Sequence, residues 1–88
     1  MPRIDHIDIK FSRDGKFFVL FSKESGFFRI YPCDDIEKIL DPIREGKSLY
    51  EQKDIPDIED ISFGNNTKYI VLKYKQKMEV YHLASMYA

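Results

Sequence analysis

A pattern of alternating and two-faced apolar residues occurs twice in this chain, and that duplication limits what it can fold into. Residues 7–31 read IDIKFSRDGKFFVLFSKESGFFRIY, and residues 61–81 read ISFGNNTKYIVLKYKQKMEVY. Ile9 aligns with Ile61, Phe11 with Phe63, Lys16 with Lys68, Phe17 with Tyr69, Val19 with Val71 and Leu20 with Leu72. After a two-residue deletion, Ile30 aligns with Val80 and Tyr31 with Tyr81. One plan is written twice, with an acidic connector between the copies.

In the first unit, residues 4–31, the apolar residues Ile7, Ile9 and Phe11 alternate with Asp8 and Lys10, the period of a half-buried strand. Ser12-Arg13-Asp14-Gly15 is a turn, because Asp bonds its own backbone and Gly accepts a positive φ. From Lys16 to Ser22 both faces are apolar, as in a central strand covered on two sides. Glu24-Ser25-Gly26 turns the chain again, and Phe27 to Tyr31 makes a third strand, ended by Pro32. The second unit, residues 58–83, repeats the plan. One of Asn65 and Asn66 supplies the left-handed turn position there, and residues 68–74 form the second two-faced central strand. Lys75-Gln76-Lys77 is a reversal without glycine, and the tail ASMYA is expected to bring Tyr87 back onto the sheet.

The connector, residues 32–57, carries signals of a short helix. Asp34 or Asp35 can cap it, with Glu37 three residues beyond Asp34 and with Ile36, Ile39 and Leu40 as its apolar stripe. Asp41-Pro42 reads as a fresh helix start and Gly46 as a stop. Residues 47–53 fit either a capped turn or a short edge strand. The expected fold is mainly β (α+β): two antiparallel three-stranded meanders joined by a short helical acidic connector, with an extra edge strand if 47–53 is extended. Eighty-eight residues suit a single small domain.

Charge is unevenly placed. Residues 1–33 carry +2, residues 34–60 carry −6 and residues 61–88 carry +3. Such segregation can steer a partner. Within the acidic belt, Asp34, Asp35, Asp54, Asp57, Glu59 and Asp60 are the candidate contacts for a protein partner. Lys68, Lys73, Lys75 and Lys77, interleaved with Tyr69 and Tyr74, are the candidates for nucleic acid, since cations beside aromatics hold phosphates and stack bases. A pI of about 6.1 argues against that second use.

Reactive constellations are not apparent. Neither His6 nor His82 has a helical metal-ligand spacing, and Cys33 lacks a Cys-x-x-Cys partner. The carboxylates Asp34 and Asp35 beside Cys33 raise a thiol's pKa and so oppose nucleophilic use. Asp54, Asp57, Glu59 and Asp60 lack the loop pattern that shapes a calcium site. No catalytic residue, cofactor or metal is expected, and the chain reads as no enzyme. It has neither an apolar run of the roughly 20 residues that span a bilayer nor a signal-like h-region. A lone cysteine leans toward a reducing compartment, so the expected location is cytoplasmic, with no membrane contact.

FSRDGKFFVLFSKESGFFRIY resembles a blade of a WD-repeat β-propeller: strand, FS-x-DGK turn, strand, glycine turn, and a strand ending in an aromatic. ISFGNNTKYIVLKYKQKMEVYHL resembles a second blade, and GKSLYEQ would be the outer fourth strand of the first. Tyr31-Pro32 and Tyr81-His82 stand where that family has Trp-Asp. Propellers have 4–8 blades, so the resemblance implies a fragment or a self-assembling piece. In outline the chain is also similar to an uncharacterised family of small bacterial proteins often encoded beside putative toxins, on GFFRIY, a short helix, DPIREGKSLYEQ and ASMY.

These readings converge on an expectation. The chain is a small non-enzymatic protein-interaction module, an inhibitor or antitoxin-like regulator that covers a partner protein through the acidic connector or an exposed sheet edge. A homo-oligomer is a further expectation. The alternatives are a nucleic-acid-binding regulator using the four lysines, and a piece of a propeller scaffold.

Overall fold

The computed structural model describes residues 7–64 and 67–86. Strands β1 (Asp8–Phe11), β2 (Phe17–Ser22), β3 (Phe27–Pro32) and β4 (Tyr50–Gln52) form one antiparallel sheet in that order. Strands β5 (Ile58–Phe63), β6 (Tyr69–Tyr74) and β7 (Met78–His82) form the second. The two meanders are therefore present, and the stretch that read as either turn or strand supplies β4. A 3-10 turn (Ile36–Lys38) and helix α1 (Leu40–Arg44) occupy the connector, and a short helix α2 (Leu83–Met86) follows β7.

Turn chemistry sets the first reversal. Gly15 has φ +76. The Asp14 carboxylate accepts from the Ser12 hydroxyl at 2.7 Å and from the Lys16 N–H at 3.0 Å. In the second unit Asn65, Asn66 and the tail Tyr87, which carried sequence expectations, lie outside the described residues, as does His6. Thr67 there takes φ +60.

The sheets pack face to face. β2 turns Val19 and Phe21 toward the second sheet, and β3 adds Phe28 and Ile30. From the other side come Ile58, Ile61, Ile70 and Leu72, and Ile55 and Leu83 complete the one core. Every one of these side chains is buried. At about 25 cal/mol per Å² of apolar surface removed from water, this inter-sheet layer is the main favourable term in folding. The opposite face of β2 presents Phe18 and Leu20, which join Tyr31 in a smaller cluster roofed by Ile39 and Ile43 of the connector. Phe18 and Tyr31 stack with ring centroids 5.1 Å apart. The two-faced reading of residues 16–22 thus has a physical counterpart: sheet on one side, helix on the other.

Two expectations are corrected. Residues 68–74 are covered on one face only: Ile70 and Leu72 are buried, but Tyr69 is 41% exposed and Lys73 points to solvent. No second helix lies over that sheet among the described residues, so its outer apolar residues stay open. In β1 the apolar side is the exposed one, with Ile9 and Phe11 at 38% and 39%. Pairing puts Ile9 opposite Leu20 and Phe11 opposite Phe18, on the face that α1 roofs over β2 and β3. The polar residues Asp8 and Lys10 therefore face the second sheet, where β5 packs against β1. There the Lys10 ammonium meets the Asp60 carboxylate at 2.5 Å.

The connector is tied down locally. Asp35 caps the 3-10 turn, accepting the Glu37 N–H at 3.0 Å. Gly46, at φ +66, ends α1 with the Lys47 N–H donating to the Pro42 carbonyl at 3.0 Å. Helix α1 starts at Leu40, two residues ahead of the start read from sequence with Asp41 as cap and Pro42 as first helical residue; Ile39 is its N-cap, with no side-chain bond there.

Candidate interaction surface

The inward-facing residues of the sheets reach solvent on one side of the sandwich, between β4 and β7. Directly opposed residues of an antiparallel pair share a face, so the register assigns each side chain. Gln52 lies opposite Phe28 and Tyr50 opposite Ile30, while Glu79 lies opposite Leu72 and Tyr81 opposite Ile70. All four of the partners named second are core residues. Tyr50, Gln52, Glu79 and Tyr81 are therefore core-facing positions at sheet edges, where the core meets water. An open cleft of about 630 Å³ lies there, lined on one wall by Gln52 and the 54–57 loop and on the other by Tyr74, the Lys75-Gln76-Lys77 turn, Glu79 and Tyr81.

The cleft has its own electrostatics. The Glu79 carboxylate accepts from the Tyr81 hydroxyl at 3.1 Å and pairs with the Lys77 ammonium at 3.6 Å. That ammonium also sits 4.9 Å from the centre of the Tyr74 ring, a cation–π geometry. Burial pushes the Tyr74 hydroxyl up to about 12, with Glu79 as the second cause. Glu79 in turn lies below the usual carboxylate range, first through Tyr74. A phenol whose folded pKa exceeds its unfolded value stabilises the fold fully below the unfolded value and loses that contribution as pH rises through the folded one. Stability is therefore expected to fall between pH 10 and about 12. The Glu79 carboxylate also pushes the Tyr81 hydroxyl up, so phenolate absorbance should show a late component near 12 that Tyr74→Phe removes, and an unchanged titration in that variant would refute the assignment.

The sequence candidates are divided among several places. Asp54 and Asp57 line the cleft, both at positive φ, and Asp57 lies 3.9 Å from the Lys75 ammonium. Asp60 is engaged elsewhere, holding Lys10 and accepting the Ile61 N–H at 2.9 Å. Although burial alone would raise its pKa, Lys10 and that N–H hold Asp60 below the usual range. Glu59 is exposed on the β5 edge. Asp34 and Asp35 line a separate depression of about 210 Å³ beside α1. The belt is therefore not one patch.

Of the lysines, Lys75 and Lys77 share the cleft with Asp54 and Asp57, so acidic and basic candidates meet at one site. Lys73 belongs to the outer face of the second sheet, and Lys68 precedes β6, its carbonyl accepting the Leu83 N–H at 2.8 Å. Burial, and after it Asp34 and Asp35, push the Cys33 thiol up. Among the described residues no three His, Cys, Asp or Glu side chains converge as metal ligands, and no helix is long and apolar enough to cross a membrane.

Sequence reasoning missed Tyr50, Tyr74, Glu79 and Tyr81 as a group. One signal was present: Glu79 is a charge at a core-phase position of its strand, which marks a place where the core is open. The outward residues of the same strand are also exposed, with Met78 at 67% and Val80 at 62%. In the comparisons with known proteins no family model matches the chain, and no curated protein or solved structure matches it.

Proposed function

We propose that this chain is a non-enzymatic protein-interaction module that works by covering a partner, as an inhibitor or antitoxin-like regulator does, through the side of the sandwich between β4 and β7. The observation that carries this reading is the coincidence of three features on one side. They are a cleft of about 630 Å³ with tyrosines and both signs of charge, exposed Met78 and Val80, and a terminal strand, β7. Tyrosine and methionine are enriched at contact surfaces, with the charged groups kept to a polar rim. Covering a partner requires no reactive group of the module's own.

Site-specific photo-crosslinking tests the reading. A photoreactive phenylalanine analogue replacing Tyr81 or Gln76 is expected to form a discrete protein adduct in cells, while the same analogue at Arg13, in the β1–β2 turn, is not. Charge reversal of Asp54 and Asp57 to lysine should weaken the Tyr81 adduct. Adducts from Arg13 but none from Tyr81 or Gln76 would refute this choice of surface. The nucleic-acid alternative has less support, because Lys75 and Lys77 already lie beside Asp57 and Glu79. It predicts retention on DNA or RNA that falls steeply with salt.

A further inference from the structure

Sheet edges are templates for pairing, and proteins block the ones they do not use with charges, prolines, bulges or short length. The four edges here carry such devices unequally. β1 turns the charged Asp8 and Lys10 toward the opposing sheet. β4 is three residues long, with Glu51 at its centre and Lys53 just beyond. β5 follows Pro56, carries Glu59 and Asp60, and shifts register between Ile58 and Asp60. β7 has fewer: the inward charge of Glu79 and Lys77 just before the strand. It is five residues long, contains no proline, pairs with β6 in unbroken register, and its one acidic side chain, Glu79, points into the cleft.

The hydrogen-bond phase shows what β7 offers. The Tyr74 N–H donates to the Lys77 carbonyl and the Leu83 N–H to the Lys68 carbonyl, each at 2.8 Å. Both pairs belong to the register that sets Val71 opposite Val80. Backbone groups alternate sides along a strand. Lys77, Glu79, Tyr81 and Leu83 therefore address β6, while the N–H and C=O of Met78, Val80 and His82 address the open side. The side chains of those same three residues lie on the outer face of the sheet.

We propose that β7 pairs antiparallel with β7 of a second copy of this chain, about a two-fold axis at Val80. In that register Val80 exchanges both backbone bonds with its counterpart, and Met78 does so with His82 of the other copy, for about six ladder bonds in all. Glu79 then lies across from Tyr81 of the other copy, so no like charges meet. The two three-stranded sheets become one continuous sheet, with the two Val80 side chains adjacent and Val71 beside each. Blocked edges at β1, β4 and β5 stop the assembly at a closed pair, the commonest symmetry of oligomers. The pairing rests on the reading that the β4–β7 side is the contact surface, and it names the partner.

Sedimentation equilibrium of the full chain, run over a wide concentration range, tests it. The expected mass is twice the 10.5 kDa of one chain. Val80→Pro removes an N–H that bonds nothing in β6, so the circular dichroism should be retained while the pair weakens at least tenfold. Val80→Lys, at an exposed position, brings two ammonium groups together across the axis and should have the same effect; it decides the matter if the proline variant does not fold. A monomer at every concentration, or a pair that survives both variants, overturns the proposal. If the chain is monomeric yet Tyr81 crosslinks to a different protein, self-pairing fails and the contact surface stands. If it is monomeric and Tyr81 gives no adduct, both fail.

Discussion

Replacing Gly26 with alanine is expected to destabilise the protein by about 3 kcal/mol, where the same change at Gly15 should cost only about 1 kcal/mol. Both glycines have positive φ, +68 and +76, so both substitutions incur the penalty of placing a Cβ in the left-handed region. Their surroundings differ. A Cβ at Gly15 meets nothing within 4 Å, whereas one at Gly26 stands 2.6 Å from the Ile55 carbonyl oxygen and 3.3 Å from its nitrogen. The obstacle is backbone, and it has little freedom to move. Ile55 is buried in the core, lies between Asp54 at φ +56 and the fixed ring of Pro56, and donates its N–H to the Gly26 carbonyl at 2.8 Å. Relieving the collision means losing that bond, worth about 1 kcal/mol, and lifting Ile55 from the core. Urea unfolding of the two variants measures the difference, and equal losses would show that the approach of residue 26 to residue 55 is not tight. Because the 54–57 loop forms one wall of the cleft, Gly26→Ala should also lower the late tyrosine titration toward 10.

The adjacent phenylalanines of β3 give the second large effect. Phe28→Ala is expected to cost about 3–5 kcal/mol, a large part of the roughly 5–15 kcal/mol that holds a typical domain. Phe28 is fully buried between the sheets, opposite Phe21, with its ring 5.8 Å from Tyr50. Phe27 is turned to the other face, half-buried, with the Arg29 guanidinium 5.0 Å from its ring. Phe27→Ala should cost about 1 kcal/mol, since the cost scales with the cavity left behind. Denaturant midpoints for the pair test the assignment of faces, and similar midpoints would contradict it.

Much of the architecture was legible because it is local. Period-two alternation marked the strands, and Gly15, Gly26 and Gly46 sat at turns and a helix end where only a left-handed residue closes the chain. The roof over β2 could be foreseen from Phe18 and Leu20, which break the alternation. The side that β1 presents could not. Alternation says that two faces differ, but which face is buried depends on how far the connector reaches across the sheet, a question of tertiary placement. The same ignorance covered β6, whose two-faced pattern predicts cover on both sides while only one sheet face is met.

The candidate site divides along the same line. Two meanders, their turns, an acidic connector and the lysines and tyrosines of the second hairpin are readable from the residues alone, since each depends on neighbours within a few positions. The packing of the two sheets places Asp54 and Asp57 with Lys75 and Lys77 around Tyr74, Glu79 and Tyr81, while Asp60 turns away to Lys10. It also decides which of four edges is the least blocked. Those outcomes follow from how two sheets stack, and stacking is set by contacts between residues far apart in the chain.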